Sequence, residues 1–241
     1  MAYELTGPYL RAEGARTAHF RRIKAMQHVT ESNPITSRRT RWPFVAGALW
    51  LSVVSFGLIF VWQHAGRPGI AAVAGATWPG NSRVELSRSG TTLVMFAHPH
   101  CPCTRASLAE LERIVAQCNG SQSTSKSHVT PWIVFYKPSD ASKEWAHTAS
   151  WSIAEAIPGA HVICDEDGTE AKRFDAKTSG QAFLYNAAGE RLFEGGITGS
   201  RGHEGDNPGH TAIVQLSRDG KSLCRATPVY GCPIVDEVVS P

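Results

Sequence analysis

The sequence predicts an α/β domain, a mixed central sheet flanked by helices, preceded by a single N-terminal transmembrane helix. Two observations carry this: an uncharged apolar run over residues 42–62, and short buried-strand patterns alternating with helical periodicity from residue 81 onward. At 241 residues the chain has room for one domain or two. A composition of 42% hydrophobic and 19% charged residues with a formal net charge of +3 excludes disordered, collagen-like and multi-pass membrane classes. Six cysteines are too few for a disulfide-framework miniprotein.

Residues 1–41 read as a basic cytoplasmic tail with eight Lys or Arg against three Glu, a net of +5. Tyr9, Leu10, Phe20, Ile23 and Met26 interleave with the basic residues as in an amphipathic surface helix, and a plain topogenic tail is the competing reading. Residues 42–62 (WPFVAGALWLSVVSFGLIFVW) hold no charge and carry Trp42 and Trp62 at their ends, where interfacial aromatics sit. A helix of ~20 such residues spans the hydrocarbon core. Its length and position argue against a cleaved signal, for which Ala72-Val73-Ala74 would serve as a site, and against a buried core helix.

The remainder carries a net of −2, with Arg67 and Arg83 the basic residues near the helix exit. The positive-inside bias therefore predicts a single-pass membrane protein, which in a bacterium means the inner membrane. Its N-terminus is cytoplasmic, its C-terminal domain is periplasmic or otherwise extracytoplasmic, and the bilayer is the partner of 42–62. Residues 63–80 read as a Gly-rich linker and 81–241 as the exported domain.

Within that domain, residues 93–97 (LVMFA) suit a buried strand and 104–117 place Leu108, Leu111, Ile114 and Val115 on one helical face. Residues 131–136 (PWIVFY) suit a second buried strand, followed by a helix over 141–157. A short strand over 161–164 and a short helix over 170–176 follow. Strands over 181–185 and 191–194 flank the turn Asn186-Ala187-Ala188-Gly189, and a last helix covers 210–218.

The chemistry concentrates at the first strand-to-helix junction, His98-Pro99-His100-Cys101-Pro102-Cys103-Thr104-Arg105. Unpaired N–H groups and the partial positive charge of a helix start lower the pKa of a thiol placed there. Pro102 suits the first helical position, which makes Cys101 the cap and Cys103 the second helical residue. Arg105 adds a cation within a turn and favours the thiolate further.

The element order is that of the thioredoxin fold. The stretches at 96–114, 178–198, 201–209 and 227–233 resemble bacterial membrane-anchored thioredoxin-like proteins of the RedB type, a resemblance covering residues 90–241. It implies a thioredoxin fold with Cys101 as the nucleophile. Two departures matter. The second cysteine, Cys103, comes one residue early, with Thr104 in its usual place, so a Cys101–Cys103 disulfide is strained and readily reduced. And Ser179-Gly180-Gln181-Ala182 lacks the proline that is cis in thioredoxins.

In a thioredoxin sheet the second hairpin strand runs parallel to the one leading to Cys101, so the loop that leaves it emerges at the same edge. Arg201, His203, Glu204 and Asp206 in that loop are therefore expected to wall the site, an ordinary solvated loop being the alternative. Cys118, Cys164, Cys224 and Cys232 allow many pairings; Cys232, in a Gly-Cys-Pro turn, either resolves an adduct at Cys101 or has a structural role.

Three functions follow from these residues. In the first, Cys101 attacks and Cys103 resolves, exchanging disulfides with exported protein thiols and a redox partner, and no cofactor. In the second, His98, His100, Cys101 and Cys103 bind copper or zinc, as some membrane-anchored thioredoxin-fold relatives that act as copper chaperones imply. The third is a redox-inactive binding module. The slightly acidic exported segment gives no sign of nucleic-acid binding. Asp165-Glu166-Asp167-Gly168 lacks the further carboxylates of a calcium loop and reads as a solvated turn.

Overall fold

A computed structural model describes residues 41–70, 72, 75–120 and 127–235. The chain falls into two compact units, residues 1–52 and 53–241. The basic tail, with its amphipathic candidates, lies outside the described residues apart from Arg41. Helix α1 (Trp42–Ala65) runs three residues past the apolar run, buries none of its side chains, and is long and apolar enough to cross a membrane.

The second unit builds one five-stranded sheet in the order β3-β2-β1-β4-β5 from β1 (Thr91–Ala97), β2 (Val129–Lys137), β3 (His161–Glu166), β4 (Gln181–Asn186) and β5 (Arg191–Gly196). β1, β2 and β3 are parallel, β4 is antiparallel to β1, and β5 is antiparallel to β4. β1 and β5 therefore point the same way, and the loops leaving both emerge at one edge. Pro131 is tolerated in an interior strand because the pairing of β2 with β3 begins only at Trp132.

Alternate β1 side chains feed two cores, as strand geometry requires. Leu93 and Met95 pack with Leu108, Leu111 and Ile114 of α2 (Thr104–Asn119), Trp151 and Ala154 of α3 (Ala149–Ala156), and Ala212, Ile213 and Leu216 of α5 (Pro208–Asp219). Val94 and Phe96 pack on the other face with Ala171 of α4 (Thr169–Arg173), Phe174, Phe183 and Tyr185. This is the thioredoxin-like arrangement, a mixed sheet flanked by helices.

Two elements differ from the sequence expectation. The helix over 141–157 is a short 3₁₀ turn, Lys143–Trp145, followed by α3, because Thr148 at the α3 start is extended and its hydroxyl donates to the Pro99 carbonyl at 3.2 Å. The tether pins the chain beside the β1–α2 loop and breaks the helix there. Residues 63–80 are no free linker. Trp78 N–H donates to the Gly189 carbonyl at 2.7 Å, and its indole packs edge-on to Phe174 and Tyr185. Gly69 N–H donates to the Val229 carbonyl at 2.7 Å.

The C-terminal extension, described over residues 224–235, lies as a strap across the edge where β1 and β5 end. Ala226 bridges Glu194, Pro233 bridges Thr178, and Ile234 N–H donates to the Lys177 carbonyl at 3.0 Å.

Candidate functional site

β1 delivers the chain into a tight loop. Cys101 N–H donates to the His98 carbonyl and Thr104 N–H to the Cys101 carbonyl, both at 3.1 Å. Helix α2 begins at Thr104 with Cys103 as its cap, two residues later than expected, because Pro102 and Cys103 are spent in the turn that closes on Cys101. Thr104 is buried; its hydroxyl donates to the His98 carbonyl at 3.0 Å and lies 2.9 Å from Ser179 Oγ. Pro102 is exposed at the outside of the turn.

The Ser179-Gly180 turn faces this loop from the start of β4. Gly180, at φ +88, reverses the chain where only glycine does so without strain, and its N–H donates to the Phe96 carbonyl at 2.8 Å. Ser179 Oγ accepts from His98 N–H at 2.9 Å. Among the described residues every peptide bond is trans, and this serine turn stands where thioredoxins carry their proline.

The strap supplies the third side. Ser179 N–H donates to the Cys232 carbonyl at 2.8 Å, which seats Cys232 Sγ 3.1 Å from Cys101 Sγ. No disulfide links any of the six cysteines, and Cys101 is only 4% exposed. Burial pushes the Cys101 thiol up, but hydrogen bonds from the Cys232 thiol and backbone, the Cys103 backbone and the Ser179 hydroxyl outweigh it, so its pKa lies below the ordinary 9.0. Burial and the neighbouring Cys101 sulfur raise Cys103, and the same two causes push Cys232 up to about 12. Of the three thiols held together here, Cys101 is thus the one that ionises most readily.

The cation at the thiols is Arg201, not Arg105. Arg105 is exposed on the first turn of α2. Arg201 is half-buried, donates from Nη1 to the Gly231 carbonyl at 2.6 Å, and its charge favours the ionised forms of Cys103 and Cys232. Among the described residues, the others expected in this wall do not touch the thiols. His203 and Asp206 are exposed, and Glu204 pairs with Arg113 Nη2 of α2 at 3.3 Å.

The two histidines flank the loop without joining the thiols in a ligand set. His98 is buried, stacks on Tyr136 with centroids 5.8 Å apart, and accepts His100 N–H on Nδ1 at 3.2 Å. His100 is exposed with its ring edge-on to Trp145 at 4.6 Å. Among the described residues no group of three or more His, Cys, Asp or Glu side chains could hold a metal ion, so His98, His100, Cys101 and Cys103 do not fit copper or zinc as a four-ligand site.

Cys118 and Cys164 sit away from this cluster at the end of α2 and on β3, and burial raises both. Sequence reasoning misses Glu110. Only 1% exposed on α2, it accepts from Gly205 N–H at 2.7 Å, lies 2.9 Å from His210 Nδ1 and pairs with Arg113. It anchors the loop that carries Arg201. Its place beside Leu111 on the inward face of α2 was the one available signal.

No family model and no curated protein matches the sequence. Among solved structures, an uncharacterized conserved protein from Geobacillus kaustophilus is similar at 19% identity and TM-score 0.50, over 73% of this chain and 95% of that one. A hypothetical protein from Sinorhizobium meliloti is similar at 16% identity and TM-score 0.46, over 70% and 93%. A secreted Mycobacterium tuberculosis disulfide oxidoreductase, homologous to E. coli DsbE, is similar at 17% identity and TM-score 0.31, over 42% and 66%. Sheet order and strand directions are those of a thioredoxin-like fold.

Proposed function

We propose that the protein is a membrane-anchored, extracytoplasmic thiol–disulfide oxidoreductase with Cys101 as its attacking thiolate. The observation that carries the reading is the Cys101 sulfur: buried at the β1–α2 junction, lowered by hydrogen bonds, and in contact with a second thiol that stays protonated. A thiolate attacks a substrate disulfide sulfur, a mixed disulfide forms, and one half of the substrate leaves as a thiolate. A nearby thiol then displaces the other half. Helix α1 serves as the anchor, and the net +5 of residues 1–41 orients the domain outward.

The test uses the full chain in detergent micelles, with Cys101→Ser as the comparison. The wild type is expected to exchange disulfides with a reduced or oxidised model protein, and Cys101→Ser to abolish the exchange. Wild-type protein that neither reduces a disulfide nor oxidises a dithiol overturns the reading. Stoichiometric Cu(I) uptake lost in Cys101→Ser, without exchange activity, transfers the site to the metal-binding reading. Labelling of the domain from outside intact cells tests its orientation.

A further inference from the structure

The reading of Cys101 as the attacking thiolate leaves open which thiol completes the exchange. The short spacing nominates Cys103, whose thiol also interacts with that of Cys101, yet the sulfur seated 3.1 Å from Cys101 Sγ is that of Cys232, 131 positions away in the chain. A sulfur–sulfur bond is ~2.05 Å long, so closure asks for about 1 Å of movement. Cys103 caps α2 from within the same tight turn, where a Cys101–Cys103 disulfide would close a small, strained ring. Cys232 approaches from a separate segment, where no small covalent ring resists closure.

That segment is built to hold the thiol there. Ser179 N–H donates to the Cys232 carbonyl, Arg201 Nη1 to the Gly231 carbonyl, and Ile234 N–H to the Lys177 carbonyl, at 2.8, 2.6 and 3.0 Å. Gly231 approaches the Ser179 backbone so closely that a Cβ there would stand 1.9 Å from the Ser179 oxygen. Ile234 is itself buried in the core that Val94 and Phe96 feed, and these contacts tie the strap to it. They fix residues 231–234 against the Cys101 loop.

We propose that Cys232, delivered by the C-terminal strap, is the resolving cysteine of this site, and that Arg201 is the residue that positions it. The step rests on the reading above of Cys101. Cys101 thiolate attacks a disulfide R–S–S–R′, giving Cys101–S–S–R and R′S⁻. The Cys232 thiol gives up its proton, which ends on R′S⁻, and attacks Cys101 Sγ. A Cys101–Cys232 disulfide forms and RS⁻ leaves. The substrate disulfide has gained two electrons and the cysteine pair has lost them. The order of events is self-timed. While Cys101 carries its charge, that charge helps keep Cys232 protonated; once Cys101 is capped, the charge is gone and the Arg201 guanidinium favours the Cys232 thiolate.

Full-length protein in detergent is reduced and treated with glutathione disulfide, and its adducts are read by intact and peptide mass spectrometry. In Cys232→Ser the Cys101–glutathione adduct is expected to persist, whereas in Cys103→Ser it should be released with formation of a Cys101–Cys232 cross-link. Arg201→Gln should form the adduct normally but release it only at higher pH, with Arg201→Lys restoring part of the wild-type pH profile. An adduct that persists in Cys103→Ser, with a Cys101–Cys103 cross-link in the wild type, overturns the proposal. The Cys103→Ser/Cys232→Ser double variant separates the two readings: if Cys101 forms no adduct even there, it is the assignment of Cys101 that fails.

Discussion

Gly231→Ala tests the strap through its geometry, leaving every thiol in place. The backbone of Gly231 has no left-handed torsion, so the new methyl acts by volume alone. Its carbon would stand 1.9 Å from the Ser179 oxygen and 2.9 Å from the Ser179 carbonyl carbon, both main-chain atoms that no rotamer change can move. Reaching even ~3.0 Å demands a retreat of about 1.1 Å, and overpacking of this kind costs ~1–3 kcal/mol. The strap is what brings Cys232 to 3.1 Å from Cys101, so lifting it breaks that contact. A cost of ~1–3 kcal/mol corresponds to a ~5- to 150-fold smaller population of the docked strap.

The equilibrium between the Cys101–Cys232 disulfide and a glutathione redox buffer reads this directly, because an internal disulfide forms in proportion to the effective concentration of its second thiol. The expected result is a fall in that equilibrium constant and in the closure rate by the same factor, with circular dichroism unchanged. Gly80→Ala, where a Cβ meets nothing within 4 Å, serves as the control. Unaltered closure in Gly231→Ala would show that Cys232 reaches Cys101 without the strap contacts, refuting the positional argument.

Two further perturbations follow from the same contacts. Ser179→Ala removes a hydroxyl that holds Cys101 below 9.0, so the pH profile of Cys101 alkylation should move to higher pH; an unmoved profile would exclude the serine from thiolate stabilisation. The sign carries over to stability. A native pKa below the unfolded 9.0 means the unfolded chain binds more protons between the two values, so this contribution is complete above pH 9 and is lost as pH falls through the native value, and Ser179→Ala shrinks it. Glu110→Ala leaves Gly205 N–H and His210 without their buried acceptor while half-exposed Arg113 keeps its hydration, and should cost about 1–3 kcal/mol in chemical denaturation. A loss within a few tenths of a kcal/mol would mean that the loop bearing Arg201 is held by other contacts.

The amino-acid sequence by itself determined the parts governed by local periodicity. An uncharged apolar run makes α1, LVMFA makes most of β1, Leu108, Leu111 and Ile114 orient α2, and the Asn186–Gly189 turn pairs β4 with β5. It also located Cys101 at a strand-to-helix junction, and strand directions set the loop of Arg201 at the same edge. Each of these signals lies within a few residues or follows from chain topology. Tertiary structure decided the rest. Whether residues 141–157 continue as one helix depended on Thr148 meeting Pro99, and whether Arg105 or Arg201 serves the thiols depended on which side chain reaches inward. The partner of Cys101 was decided by hydrogen bonds between main-chain atoms far apart in sequence, Ser179 with Cys232 and Lys177 with Ile234. Such contacts leave no periodicity in the residues that make them, because every residue offers the same N–H and C=O groups and only the folded path of the chain selects which ones meet.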